Sequence, residues 1–387
     1  MKTFKRPDPR NILLIFASIG FTLVLIEIAL RIMMAGNQSY LLDFYQDRSF
    51  RMPNKYWKNW HYANAKTRQK ADCFDAIYTS NEYGMRATTF RKSADFTIAV
   101  LGDSFVEGYG ESDKNIFPTL LDSLTGKNVE VLNFGMSGGF GTVHELAQYE
   151  NFVRHFKPDL VILCYLNYND VHDNIKAINE GLISEDLKFL YPKGTFEEVM
   201  NEIKKNEQPP PLPAVIQYSY TLKMAQRGLR AFNSFRQTAA NTRLNFSRYL
   251  ADTYNPGAID QLQKGYDIAE ASLSKLAKLT QSDSTRFLLV NLPDPYQVDK
   301  NWIEKSEKKY SVKLDPTLPN TIISDISQKL NIDYHDMYPN AVKYIDENAL
   351  KFPYFSHECD NHPNQEGHQF LAWDIYKHLM ENNYLNF

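Results

Sequence analysis

The 387-residue chain predicts an α/β fold: a three-layer sandwich with a mostly parallel central sheet, an N-terminal transmembrane helix and a helical insertion. Three observations predict it. Short apolar runs alternate with amphipathic stretches from Ile98 onward, the rhythm of strand–helix–strand units. The run Ile12–Met34 is long enough to cross a bilayer. The rhythm breaks between about residues 180 and 257, where no buried strand is evident, and then resumes. The expected organisation is 1–35 cytoplasmic N-terminus and anchor, 36–90 an aromatic-rich segment packed on the main domain, 91–180 the first part of the α/β domain, 181–257 a helical insertion or cap, and 258–387 the second part.

The anchor comes first. At ~1.5 Å per residue, residues 12–34 reach roughly 34 Å, enough for a hydrocarbon core of about 30 Å. Lys2, Lys5, Arg6 and Arg10 precede it, so the positive-inside rule leaves the N-terminus in the cytoplasm and everything after residue 35 outside. The stretch is long for a cleaved signal peptide, and no small-x-small site follows, so an uncleaved anchor is expected. Glu27 and Arg31 interrupt the run four residues apart, on one helix face, and are expected to pair near the outer interface.

Residues 36–90 carry Tyr40, Phe44, Tyr45, Phe50, Tyr56, Trp57, Trp60 and Tyr62. Packing of a loop-rich segment is the expected use of these rings, and a carbohydrate-binding surface the alternative. Asn81-Glu-Tyr-Gly-Met-Arg86 reads as a turn leading to the first strand of the sheet.

Ile98–Leu101 is a fully apolar strand. Gly102 then allows a sharp turn, and Asp103 and Ser104 fall where open α/β sheets place their chemistry, past a strand's carboxyl end. A helix with Phe117, Leu120, Leu121 and Leu124 leads to the strand Val129–Asn133. Thr142-Val-His-Glu145 has capping-box spacing and predicts a helix start. Pro158–Tyr165 is the third strand and runs into Asn167-Tyr-Asn-Asp170. In the insertion, Pro209–Pro213 is stiff and extended, and Val215 to Phe232 has helical amphipathic spacing. A helix from Ile259 to Leu276, a strand Arg286–Leu292, a helix Asn320–Leu330, a strand Ile332–Met337 and a final helix with Leu371, Ile375 and Leu379 complete the pattern.

Net charge is −3 and no long basic run occurs, which excludes nucleic acid as the expected partner. Three cysteines are too few for a disulfide scaffold. Cys164 reads as a core residue. Cys73 and Cys359 are either bridged or two free thiols. The Gly135–Gly141 stretch lacks the Gly-Lys-Ser/Thr of a phosphate loop. His357, Cys359 and His362 raise a metal site, but no fourth ligand stands out; no metal and no cofactor are expected.

A serine at Ser104 needs a base and oxyanion donors. His362 lies in a loop just before a helix, with Asp360 two residues earlier. At this point four short blocks, Gly102-Asp-Ser-Phe105, Asn133-x-x-x-Ser-Gly138, Asn169-Asp170 and Asp360-x-His362, stand in the order of the SGNH hydrolase (GDSL-type esterase) family, which the chain resembles over roughly 80–180 and 285–380; the short Asp360–His362 spacing and the Glu27-x-x-x-Arg31 pattern resemble its membrane-anchored bacterial branch. The resemblance implies a flavodoxin-like sheet, Ser104 as nucleophile, His362 as base and Asp360 as acid, with an oxyanion hole from the Ser104 and Gly138 N–H groups and the Asn169 amide. Asn167 stands where that family has glycine, so Asn167 and Asn169 both compete to face the site. Asp360 precedes His362 by two positions, where many members have three.

The expected function is an extracytoplasmic, membrane-anchored serine esterase cleaving an acyl or acetyl ester of a carbohydrate or lipid. The alternative is an acyltransferase to an envelope polysaccharide, served by a membrane partner that supplies the acyl donor. The second alternative is an anchored binding or assembly protein with a vestigial site.

Overall fold

A computed structural model describes residues 8–33, 50–71, 73–88, 91, 94–206, 219–222, 224–225, 249–350 and 355–385. Tyr40, Phe44, Tyr45, the Pro209–Pro213 stretch and most of the amphipathic 215–232 segment lie outside them. The described residues belong to two compact units, one with residues 8–33 and 219–225, the other with the rest.

In the first unit, helix α1 (Pro9–Met33) buries none of its residues and has a mean hydropathy of 2.5 over its most apolar window. By length and composition it is able to cross a membrane. Arg31 pairs with Glu27 at 2.9 Å, as the four-residue spacing predicts. The Glu27 carboxylate also accepts hydrogen bonds from Tyr220 N (3.0 Å), Thr221 N (2.8 Å) and the Ser219 and Thr221 hydroxyls. A carboxylate on an apolar helix is costly unless paired and bonded, and here it is both.

The second unit opens with two antiparallel hairpins, β1 (Arg51–Asn54) with β2 (Lys58–His61) and β3 (Lys66–Lys70) with β4 (Asp75–Thr79). The sheet follows with β5 (Phe96–Leu101), helices α2 (Ser104–Glu107) and α3 (Phe117–Thr125), β6 (Val129–Asn133), α4 (Thr142–Asn151), β7 (Leu160–Leu166), α5 (Asn167–Asn179) and α6 (Phe196–Lys205). After the break come α7 (Ile259–Ser282), β8 (Arg286–Leu292), α8 (Pro295–Val298), α9 (Lys300–Tyr310), α10 (Leu318–Leu330), β9 (Asp333–Asp336), α11 (Tyr338–Glu347), the short strands β10 (Ser356–His357) and β11 (Asp360–Pro363), and α12 (Gln365–Glu381).

The sheet order is β6-β5-β7-β8-β9, and every neighbouring pair is parallel. Counted along the chain this is 2-1-3-4-5, the doubly wound flavodoxin-like order. A strand covered on both faces needs apolar residues at nearly every position, which is why the central strands β5 and β7 read as apolar runs, whereas the edge strand β9, Asp-Tyr-His-Asp, is only partly buried. β7 shows the division: Val161, Leu163 and Tyr165 join the core beneath α4, α5 and α7, while Leu160, Ile162, Cys164 and Leu166 join the core beneath α3, α11 and α12. All seven are fully buried. Each of the aliphatic ones contributes about 1.5–3 kcal/mol over its exposed state.

For Trp57 and Trp60 the packing expectation holds over its sugar-surface alternative, and the Thr142 cap changes in detail. Trp57 and Trp60 are fully buried in the core shared with α4 and stack against Phe152 and Phe134, so these rings are packing residues and form no sugar-binding surface. The helix at Thr142 does begin there, but its cap is Gly141, whose N–H donates to His144 Nδ1 at 3.2 Å. Glu145 plays no part in the cap. It is buried with neither carboxyl oxygen bonded among the described residues, and burial pushes its pKa well above the usual range, with the Asp103 and Asp173 carboxyls adding to the effect.

Candidate active site

Ser104 is the first residue of α2, directly past the end of β5. Gly102 makes that approach: a Cβ there would meet Val106 Cγ2 at 2.3 Å. Asp103 caps the one-turn helix by accepting from Phe105 N at 2.9 Å. The Ser104 hydroxyl therefore stands on a rigid strand end, not on a long loop.

His362 comes from the far end of the chain and meets it. His362 Nε2 lies 2.8 Å from Ser104 Oγ. On the other ring edge, Nδ1 is hydrogen-bonded to Asp360 Oδ1, which also accepts the His362 backbone N–H at 3.0 Å. Burial raises the Asp360 pKa, but the hydrogen bond from His362 and the charge of that ring outweigh it and hold the carboxyl below its usual range. The imidazole is flanked by the rings of Tyr109, 4.5 Å between centroids, and Phe105, 5.6 Å. Asn364, next in the same block, caps α12 by accepting from Gly367 N at 2.9 Å and donates to Ser356 O, which ties the end of β11 to the start of β10.

Of the other predicted residues, Asn169 is bonded to the neighbour of the serine, and for Gly138 the structure gives the backbone conformation. Asn169 Nδ2 donates to Asp103 Oδ2 at 2.6 Å, beside the serine, which leaves its second amide N–H available. Asn167 instead is fully buried and bonds Asn320 and Asn291, so it faces the β8–β9 side. Between the two amides, Asn169 is the one next to Ser104. Gly138 has φ +104°, a conformation that a side chain resists. Among the described residues neither Ser104 N–H nor Gly138 N–H has a hydrogen-bond acceptor. Asp103, fully buried, is pushed up to about 6 by its burial; the bonds from Phe105 and Asn169 work the other way.

Three groups that the sequence did not point to hold these parts. Glu107, at the end of α2, is buried; Arg51 forks onto both its oxygens (3.3 and 3.1 Å), His61 bonds Oε1 at 2.9 Å, and Oε2 accepts Ser137 N–H at 3.0 Å. Arg86, the last residue of the Asn81–Arg86 turn, is buried and donates to the carbonyls of Glu107 (2.7 Å), Gly108 (2.6 Å) and Glu111. Lys58, at the β1–β2 hairpin tip with φ +89°, donates to Gly139 O at 2.9 Å and pairs with Glu180 at 2.6 Å. The N-terminal hairpins thus brace the 137–139 turn and the loop after the serine. An acid three residues after Ser104, on the same helical turn, was the one available signal.

Cys73 and Cys359 are bonded to each other. The bridge takes up the only thiol beside His357 and His362, and among the described residues no metal-holding group forms. Cys359 adjoins Asp360, so the bridge ties the histidine loop to the β3–β4 hairpin. Closing so long a loop is expected to contribute about 2–4 kcal/mol. A Cys73→Ser/Cys359→Ser variant should unfold at correspondingly lower urea concentration than the oxidised parent; an unchanged midpoint would show that the bridge leaves the unfolded chain unconstrained.

No family model matches the chain, and no curated protein matches it. Among solved structures it is similar to LAE5, an alpha/beta hydrolase enzyme from the metagenome of Lake Arreo, Spain, at 15% identity and TM-score 0.40, over 76% of this chain and 98% of that one. It is also similar to the acetyl xylan esterase AlAXEase (12%, TM-score 0.39, 73% of this chain and 100% of that one). A third likeness is to a catalytic mutant of Axe2, an acetylxylan esterase from Geobacillus stearothermophilus (13%, TM-score 0.37, 74% and 95%).

Proposed function

We propose that this chain is a membrane-anchored serine esterase of the SGNH type, with its catalytic domain outside the cytoplasm. The observation that carries the reading is the chain of contacts Asp360–His362–Ser104, with 2.8 Å between His362 Nε2 and Ser104 Oγ. That is the geometry in which a base can take a hydroxyl proton while a carboxylate fixes the ring's tautomer.

The reaction follows from it. Ser104 Oγ attacks the ester carbonyl carbon as its proton passes to His362 Nε2. The carbonyl oxygen gains the negative charge and is met by the Ser104 and Gly138 N–H groups and the free N–H of Asn169. The C–O bond to the alcohol breaks, and His362 returns its proton to the leaving oxygen. Water, deprotonated by His362, then attacks the acyl-enzyme, and the carboxylic acid leaves as Ser104 regains its proton. Asp360 stays ionised throughout and offsets the imidazolium charge.

Location rests on two features. The basic residues Lys2, Lys5, Arg6 and Arg10 before α1 favour a cytoplasmic N-terminus. The Cys73–Cys359 bridge belongs to an oxidising compartment.

The test is made on the full chain in detergent. A fluorophosphonate probe should label Ser104, and short-chain p-nitrophenyl esters should turn over. Labelling without turnover would mean that the acyl-enzyme awaits a hydroxyl acceptor, as in a transferase. A folded protein with neither would leave the binding-protein reading in place of the enzyme.

A further inference from the structure

A concavity lies at the same end of the sheet as Ser104 but away from it. It has a volume of about 490 Å³, within the range of small-molecule sites. It opens past the last residue of β9, Asp336, between the start of α10 and the start of α11. All five strands are parallel, so Ser104 and Asp336 follow strand ends on the same side of the sheet. β5 and β9 are separated by β7 and β8. Three strand spacings make the separation roughly 14 Å.

The lining states its own chemistry. Asp336 Oδ1 is occupied, accepting from Asn320 Nδ2 at 2.6 Å and from Tyr338 N at 3.0 Å. Among the described residues, Asp336 Oδ2, the Tyr338 hydroxyl and the Ser324 hydroxyl have no protein partner. Three residues with an unoccupied hydrogen-bonding tip among the described residues therefore line one cavity. Tyr334 forms a fixed wall: its hydroxyl donates to Asn320 O at 3.3 Å and accepts from Asn291 at 3.2 Å. Val342 and Pro339 add apolar surface.

No lysine or arginine lines the cavity, and a carboxylate does, so an anionic ligand is disfavoured. An acyl chain would strip three polar groups of water and return no hydrogen bonds. A ring with hydroxyls on its rim and C–H groups on its faces satisfies both the polar tips and the aromatic wall.

We propose that this cavity is a subsite for a neutral sugar ring, so that the ester presented to Ser104 belongs to an oligosaccharide. The assignment of its role rests on the esterase reading; the binding itself does not. The separation from Ser104 is wider than one ring, which selects a chain over a monosaccharide. The cavity also connects to the catalytic side through side chains: Asn320, bonded to Asp336, accepts from Asn167 Nδ2 at 2.8 Å at the start of α5.

The experiment uses the full chain in a zwitterionic, sugar-free detergent, with xylotriose, cellotriose and maltotriose as probes. Thr321, exposed on the cavity rim, is replaced by Trp to fill the space and by Ser as a control. Calorimetric titration should show at least one trisaccharide binding with a Kd roughly in the millimolar range. Thr321→Trp should weaken it about tenfold or more, Thr321→Ser should leave it unchanged, and p-nitrophenyl acetate turnover should be the same in all three proteins. The proposal is overturned if no trisaccharide saturates, or if Thr321→Trp binds like the parent. Binding without p-nitrophenyl acetate turnover in the parent would remove the esterase reading and leave the subsite standing.

Discussion

Ser104→Ala and His362→Ala should each lower kcat/KM for p-nitrophenyl acetate on the order of 10⁶-fold, and the double variant should be no worse than either alone. The reason is geometric. Oγ and Nε2 are 2.8 Å apart and act as one device, so removal of either part removes the whole contribution. Asp360→Asn should cost less, about 10⁴-fold, because it leaves the nucleophile and base in place and spoils only the tautomer and the charge balance. Asn169→Ala should cost about 10²–10³-fold, the usual loss for one oxyanion donor. Since that amide also donates to Asp103, the unfolding midpoint of the variant should be measured beside its rate. The graded order, serine and histidine first, then aspartate, then asparagine, distinguishes a catalytic triad from a serine that merely lies near a histidine. Ser104→Ala retaining more than about 1% of the rate would sink the mechanism.

Much of this arrangement could be read from the chain because each part is local. The central strands β5 and β7 and most of β8 are apolar runs, since burial on both faces leaves few polar positions, whereas the edge strand β9 is polar and only partly buried. Ser104, Gly138 and Asn169 follow strand ends, where a few residues of local sequence set the geometry. What was not legible acts at a distance. His61 reaches Glu107 across 46 residues and Lys58 reaches Gly139 across 81, and neither contact leaves a periodicity or spacing to detect. The Thr142–Glu145 spacing suggested a capping box, but tertiary packing placed Glu145 in the interior and gave the cap to Gly141 and His144. Asn167 and Asn169 could be told apart only when α10 supplied Asn320 as a partner for the first. The sugar-subsite cavity, likewise, joins the tip of β9 to two helix starts, and none of its residues forms a motif.

Glu107→Gln is the substitution with the largest expected effect on stability. Burial alone would raise the Glu107 pKa, but the Arg51 guanidinium, the His61 hydrogen bond and the Arg86 charge outweigh it and hold the group at about 2, below the ordinary 4.5. A carboxyl whose folded pKa is depressed contributes stability that is fully present above pH 4.5 and is lost as pH falls through about 2. The difference corresponds to about 3 kcal/mol. Gln at this position removes the buried negative charge that Arg51 and His61 bond and that lies near Arg86, and breaking a buried pair in this way costs about 3–5 kcal/mol. The two routes agree in size. In urea unfolding of the full chain, the variant should therefore be about 3–5 kcal/mol less stable than the parent at pH 7, and the gap should close as pH falls from about 5 to 2. Because Oε2 also accepts Ser137 N–H beside Gly138, the variant should lose ester turnover at pH 7 even at temperatures where it remains folded. A gap that stays constant with pH would mean that Glu107 owes its place to packing and hydrogen bonds, and that its charge does not hold the hairpin, the nucleophile helix and the oxyanion turn together.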